Sequence, residues 1–177
     1  SDSQGNIYIA DETNHRIQKL DPDGNFLWKV GAVDVYGRPR SGTAPGQFNM
    51  MRGVAIDHED NLWVGDSGNH RIQKFDPSGR FELMFGGFGT GPGQMVSPDG
   101  VAVDKDRNIY VTDTHTRFGG NQRVLKFDPE GHFISSFGEY GTRPGQFAGS
   151  FPIEGGVEGP YGIDVGRGTG HLYVADT

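Results

Sequence analysis

One phrase recurs four times along this chain, and it limits the possible folds more than any other feature. It reads Asn6-Ile-Tyr-Ile-Ala-Asp11, Asn61-Leu-Trp-Val-Gly-Asp66, Asn108-Ile-Tyr-Val-Thr-Asp113 and His171-Leu-Tyr-Val-Ala-Asp176. A second phrase follows the first three copies: Arg16-Ile-Gln-Lys-Leu-Asp-Pro22, Arg71-Ile-Gln-Lys-Phe-Asp-Pro77 and Arg123-Val-Leu-Lys-Phe-Asp-Pro129. Each of these runs on to a glycine and an aromatic residue: Gly24 and Phe26, Gly79 and Phe81, Gly131 and Phe133. Gly53-Val-Ala-Ile-Asp57, Gly100-Val-Ala-Val-Asp104 and Gly162-Ile-Asp-Val165 stand ahead of the later copies. Pro-Gly-Gln begins at residues 45, 92 and 144, spacings of 47 and 52. Self-similarity at such a period marks a repeat architecture.

Each unit holds four short runs rich in β-branched and aromatic residues, bounded by Asp-Pro-x-Gly, Gly-Asn and Pro-Gly turn signals. In the one fully regular unit these are strand a over 53–57, b over 61–66, c over 71–76 and d over 81–85. Four strands in about 50 residues describe a β-propeller blade, so the expected class is all-β. The count is thirteen strands, about three and a quarter blades, in segments 1–48, 49–95, 96–147 and 148–177. The 30 glycines and 10 prolines fall in register with the repeat, so they are turn chemistry and not low complexity. Asp2 aligns with Asp57, so the reading opens at the end of a strand a and closes after a strand b. The expectation is a segment of a longer chain, whose ring needs remaining blades or self-association to close; two copies of thirteen strands do not divide into whole blades.

Composition removes several function classes. Sixteen Lys and Arg against 23 Asp and Glu give a net charge of −7, which disfavours a nucleic-acid partner. With no cysteine there is no disulfide framework, no Cys-ligated zinc and no thiol catalysis, and the compartment is left open. No apolar run is long enough to span a membrane as a helix.

Ile7-Tyr-Ile-Ala-Asp11 followed by Asn14-His15-Arg16-Ile17-Gln18-Lys19 resembles the NHL repeat, and Asn69-His70-Arg71-Ile72-Gln73-Lys74 matches equally well. The resemblance implies a ring of about six blades. It also brings in an enzymatic branch, the propeller-type peptidyl-hydroxyglycine lyases, in which histidines near the channel hold zinc and a tyrosine and arginines act in catalysis. The slot before strand a, where channel histidines are expected, reads Arg52, Asp99 and Tyr161. No metal ligand or cofactor is therefore assigned, and zinc or calcium enters only under the lyase alternative. RNA-binding NHL domains use a basic face, which the acidic balance disfavours. The expected setting is bacterial and extracytoplasmic, periplasmic or secreted.

Departures from the repeat point to function. Against the regular unit, about eight residues are added within 32–44, five between Asp113 and Arg123, and ten between Pro144 and Gly162. Successive strands are antiparallel, so b–c and d–a connections leave the same face, and loops on a rigid scaffold are where binding residues concentrate. That face carries Tyr36, Arg38, Arg40, His115, Arg117, Phe118, Tyr140, Arg143, Phe151, Glu154 and Glu158, with Arg52, Asp99 and Tyr161 ringing the channel. Arginine beside aromatic rings suits anionic or ring-bearing ligands, and a mixed-charge channel ring suits a small polar one. Ordinary solvated loop charge is the competing reading.

His15 and His70 occupy a slot that holds Gln122 in the third unit, which points to a turn role. Asp11, Asp66, Asp113 and Asp176 recur once per unit and read as hydrogen-bond acceptors at the b–c turn. A calcium site needs several oxygens converging on one point. Gly89-Thr-Gly-Pro-Gly93 has counterparts at 42–46 and 141–145, so it is a repeat turn and not a phosphate loop. The functional expectation is a ligand- or protein-binding scaffold. The alternative is a propeller enzyme, lyase-like or lactonase- and hydrolase-like, with catalytic residues partly outside the segment.

Overall fold

The computed structural model describes residues 1–116, 119–147, 159–166 and 168–176. Its strands are β1 (Ile7–Asp11), β2 (Arg16–Leu20), β3 (Phe26–Val33), β4 (Pro39–Arg40), β5 (Met51–Ile56), β6 (Leu62–Asp66), β7 (Arg71–Phe75), β8 (Phe81–Gly86), β9 (Pro98–Val103), β10 (Ile109–Thr116), β11 (Gly119–Phe127), β12 (Phe133–Phe137), β13 (Pro160–Val165) and β14 (Leu172–Asp176). They form antiparallel meanders ordered β1-β2-β3-β4, β5-β6-β7-β8, β9-β10-β11-β12 and β13-β14, the blades of an all-β propeller. Among the described residues, no helix is long and apolar enough to cross a membrane. The thirteen expected strands are joined by a fourteenth, β4, because the 32–44 insertion folds back on β3 as a hairpin. The insertion after Asp113 is also built as strand, with β10 and β11 lengthened past a bulge until Thr116 pairs Gly119.

Period-2 alternation sends each blade's apolar residues into two interfaces. Leu62, Val64 and Phe75 pack with Ile17, Phe48 and Met51 between the first and second sheets. Trp63 and Ile72, on the opposite face, pack with Met95, Val101, Val111 and Phe127 between the second and third. The core therefore lies between blades, where face-to-face sheets bury it.

One polar link repeats inside the blades. The aromatic residue of strand b reaches back to the aspartate of the a–b turn: Tyr8 to Asp2 (3.1 Å), Trp63 Nε1 to Asp57 (2.9 Å) and Tyr110 to Asp104 (3.2 Å). A lysine of strand c lies over each ring, Lys19, Lys74 and Lys126, at 5.0, 5.4 and 5.2 Å from the centroid. Lys19 also pairs with Asp2 at 2.9 Å. Burial works against the Asp2 carboxylate, but bonds from Asn6 and Lys19 outweigh it and hold its pKa well below the usual range.

The Asp-Pro-x-Gly turns are closed by their own aspartates. Asp76 accepts from the Ser78 hydroxyl and from the Ser78 and Arg80 amides, and its pKa falls from 3.8 to about 2. Asp21 is lowered in the same way by Asn25. A folded-state value below the unfolded one gives stability that is complete above the unfolded pKa and lost as pH falls through the folded pKa. Thermal unfolding followed by circular dichroism should therefore show the contribution of these turns to the melting temperature complete above pH 4 and falling from about 3.8 towards about 2. Asp76→Asn should make that fall shallower; an unchanged acid limb would remove Asp76 from the cause. Asp34-Val-Tyr-Gly-Arg38 reproduces this turn at the β3–β4 tip, with Asp34 accepting from the Tyr36 and Arg38 amides. Here the two central residues are apolar, and Val35 and Tyr36 stand 93% and 79% exposed.

Candidate functional site

The site is set by backbone contact between inner strands. A Cβ on Gly53 would collide with the Asp99 carbonyl oxygen, and one on Gly100 with that of Tyr161. Glycine at these two positions lets β5, β9 and β13 converge backbone to backbone. Arg52, Asp99 and Tyr161, each the second residue of its strand, are thereby brought to one place. They line a cavity of about 380 Å³ with the Gly-Val or Gly-Ile pairs that follow them.

Arg52 Nη1 donates to Asp99 Oδ1 at 2.7 Å, and Arg52 Nε lies 3.8 Å from a Glu12 carboxylate oxygen. Asp99 is 3% exposed, and its Oδ2 is buried with no hydrogen-bond partner. Burial works against the Arg52 charge, but the bond to Asp99 outweighs it, and the guanidinium pKa sits above its ordinary value. The Tyr161 hydroxyl is pushed up, first by burial and then by the Asp99 charge, with Arg52 pulling the other way. The positive charge of Arg52 is thus already balanced by two carboxylates. With one guanidinium against two carboxylates, the lining suits a neutral or cationic ligand better than an anion.

The remaining candidates stand elsewhere. Arg38 lies over the Tyr36 ring at 5.3 Å on the β3–β4 turn, and Arg40 is exposed in β4. Arg143 is exposed in the 141–147 loop, where its amide donates to Gln146 Oε1 at 3.0 Å. His115 pairs Gly120 across the β10–β11 hairpin. Arg117, Phe118, Phe151, Glu154 and Glu158 lie outside the described residues.

The recurrent aspartates and histidines serve blade docking. Asp66 Oδ1 accepts from the Asn49 amide, and Asp113 Oδ1 from the Val96 and Ser97 amides. These backbone donors come from the d–a segment, while the b–c connection supplies the side-chain amides of Asn69 and Asn121. His15, His70 and Gln122 all sit at positive φ, 49°, 57° and 37°, so the slot closes a left-handed turn. The His70 ring also bonds the Val96 carbonyl at 2.6 Å. Sequence reading missed the clasp beside them. Arg71 donates to Asp66 and to the carbonyls of Thr43, Ala44 and Gln47; Arg123 donates to Asp113 and to those of Thr90, Gly91 and Gln94. The signal was present as an arginine opening strand c, 26 residues after Pro45 and 31 after Pro92. In those loops Gly46, Gly93 and Gly145 hold φ of 75°, 73° and 84°, and the glutamine side chain closes the turn.

The NHL repeat profile matches residues 1–20, 48–75 and 96–127. The chain carries NHL repeats. It is 40% identical over 75 residues to human NHL repeat-containing protein 3, covering 41% of this chain and 19% of that protein. To the Drosophila melanogaster protein brain tumor it is 47% identical over 45 residues, 25% of this chain and 4% of the other. The chain thus spans a fifth or less of these relatives. Among solved structures, a streptogramin B lyase superposes with a TM-score of 0.64 at 15% identity, covering 99% of this chain and 46% of the lyase. A gluconolactonase from Xanthomonas campestris gives 0.60 at 16%, covering 98% and 53%. At such identities the likeness shows the propeller fold alone.

Among the described residues, the cavity of Arg52, Asp99 and Tyr161 does not offer the donors that the zinc of the lyase branch needs. A guanidinium, a phenol and one carboxylate already bonded to arginine are not a zinc ligand set. Among the described residues, Asp128, Glu130 and His132 group on the turn between β11 and β12, where Glu130 and His132 are exposed and His132 bonds Asp128 at 2.9 Å.

Proposed function

We propose that this NHL propeller is a binding scaffold whose ligand site is the inner-strand cavity of Arg52, Asp99 and Tyr161. The observation that carries the reading is the Asp99 carboxylate, 3% exposed with one oxygen bonded to Arg52 and the other without a partner. A buried acceptor left unbonded is costly, and a ligand donor that reached it through a small shift of the cavity lining would recover that cost. The balancing of Arg52 by Asp99 and Glu12 favours a small neutral or cationic ligand with N–H or O–H donors. Solved propellers named as a lyase and a gluconolactonase keep an enzymatic use of the same cavity as the competing reading.

A ligand-observed NMR screen with alkylammonium, guanidinium, polyol and carboxylate compounds tests the proposal. Ammonium, guanidinium or polyol compounds are expected to bind and carboxylates to fail. Asp99→Asn should weaken the best binder by about tenfold or more, the scale of a lost charged hydrogen bond, whereas Arg52→Ala, which removes the cation bonded to that carboxylate, should strengthen an ammonium or guanidinium binder. Binding untouched by both substitutions would sink the site. A binder recovered chemically changed would favour the enzyme.

A further inference from the structure

Two of the three described strands c close over a loop. Asn69, Arg71 and Gln73 hold the segment at 42–47 through the Gly42, Thr43, Ala44 and Gln47 carbonyls and the Gly46 amide. Asn121 and Arg123 hold the next one through the Gly89, Thr90, Gly91 and Gln94 carbonyls. Under these loops the Asp66–Arg71 and Asp113–Arg123 side chains are 0%/11% and 0%/13% exposed. The first unit has the same groups in the same places: Asn14 and Arg16 bond Asp11 at 2.9 and 2.8 Å, and Gln18 lies beside them at 3.5 Å. Asp11 and Arg16 are 18% and 29% exposed, and among the described residues Arg16 bonds no loop carbonyl.

We infer that Asn14, Arg16 and Gln18 form an open clasp for the Gly-x-x-Pro-Gly-Gln loop of a further NHL blade. The partner chemistry is fixed by the two filled copies. It is a loop with three outward carbonyls for the guanidinium fork and one for asparagine. It has a left-handed glycine, and it leads into an amide that can donate to the aspartate as Asn49 does to Asp66. The surface is a continuation of the blade-to-blade interface already present twice in the chain.

The test is titration of the chain with a synthetic peptide of residues 40–49, the loop that Arg71 holds, followed by NMR of arginine Nε–H and glutamine side-chain signals. The Arg16 and Gln18 signals are expected to shift on binding, Arg16→Ala to weaken the peptide at least about tenfold, and a peptide with Pro and Gly exchanged to have no effect. Gln18→Ala, which leaves the Asp11–Arg16 pair in place, should weaken binding less and checks that the loss is not unfolding. No shift at Arg16, or binding indifferent to Arg16→Ala, would overturn the inference. Sedimentation under the same conditions reads the source of the loop. Self-association abolished by Arg16→Ala would overturn the assignment to a further blade and put the 141–147 loop of a second copy in the clasp.

Discussion

Replacing Trp63 by alanine is expected to lower stability by about 3–5 kcal/mol, the range for removing a buried aromatic. Trp63 is 1% exposed, at the centre of the interface between the second and third sheets, with Phe85 at 6.4 Å between ring centroids. Its loss opens a cavity between two blades and also strips the donor from Asp57, which is 6% exposed. Chemical denaturation should show a lower midpoint with an unchanged slope. Trp63→Tyr should cost far less, because Tyr8 and Tyr110 fill the equivalent slot and reach their aspartates through the hydroxyl. Equal losses in the two variants would mean that the aspartate link carries none of the effect.

Arg71→Ala is expected to cost a similar amount, about 3–5 kcal/mol, because it leaves the fully buried Asp66 carboxylate without its charge partner and frees the Thr43 and Ala44 carbonyls, the Gln47 carbonyl keeping Gln73. Arg71→Lys keeps the charge but cannot span several carbonyls as a planar fork does, so it should recover only part of the loss. Arg16→Ala supplies the internal control. The same ion pair, at 2.8 Å but more exposed, should contribute no more than about 1 kcal/mol. If Arg16→Ala and Arg71→Ala unfolded at the same denaturant concentration, the loop contacts would contribute nothing and the clasp would be geometry without energy.

Much of this was legible in the residues, for a physical reason. Turn chemistry and period-2 alternation are local, so Asp-Pro-x-Gly and Asn-Ile-Tyr-Val announce strand ends and faces without knowledge of the rest of the chain. The convergence of Arg52, Asp99 and Tyr161 was legible because repetition turns equal sequence slots into neighbouring places around one axis. The charge state of that site was not legible: that Arg52 is taken up by Asp99 and Glu12 depends on side-chain reach between blades. The insertions were visible as extra length, but their outcome as β4 and as the lengthened β10–β11 hairpin follows from backbone pairing. The arginine clasps escaped for the same reason, since each joins residues 24 to 33 positions apart.

The clasps all point one way along the chain. Arg71 reaches back 27 residues to Ala44, and among the described residues neither clasp arginine bonds the carbonyl of a later loop. During synthesis the loop is therefore finished before the arginine that secures it exists, and at ordinary elongation rates it waits roughly one to five seconds for its fastener. Each blade is locked by its successor, so a ribosome making this protein always carries one blade whose outer loop is still loose, and release of that last blade from dependence on a nascent neighbour comes only when the ring has a next member to offer.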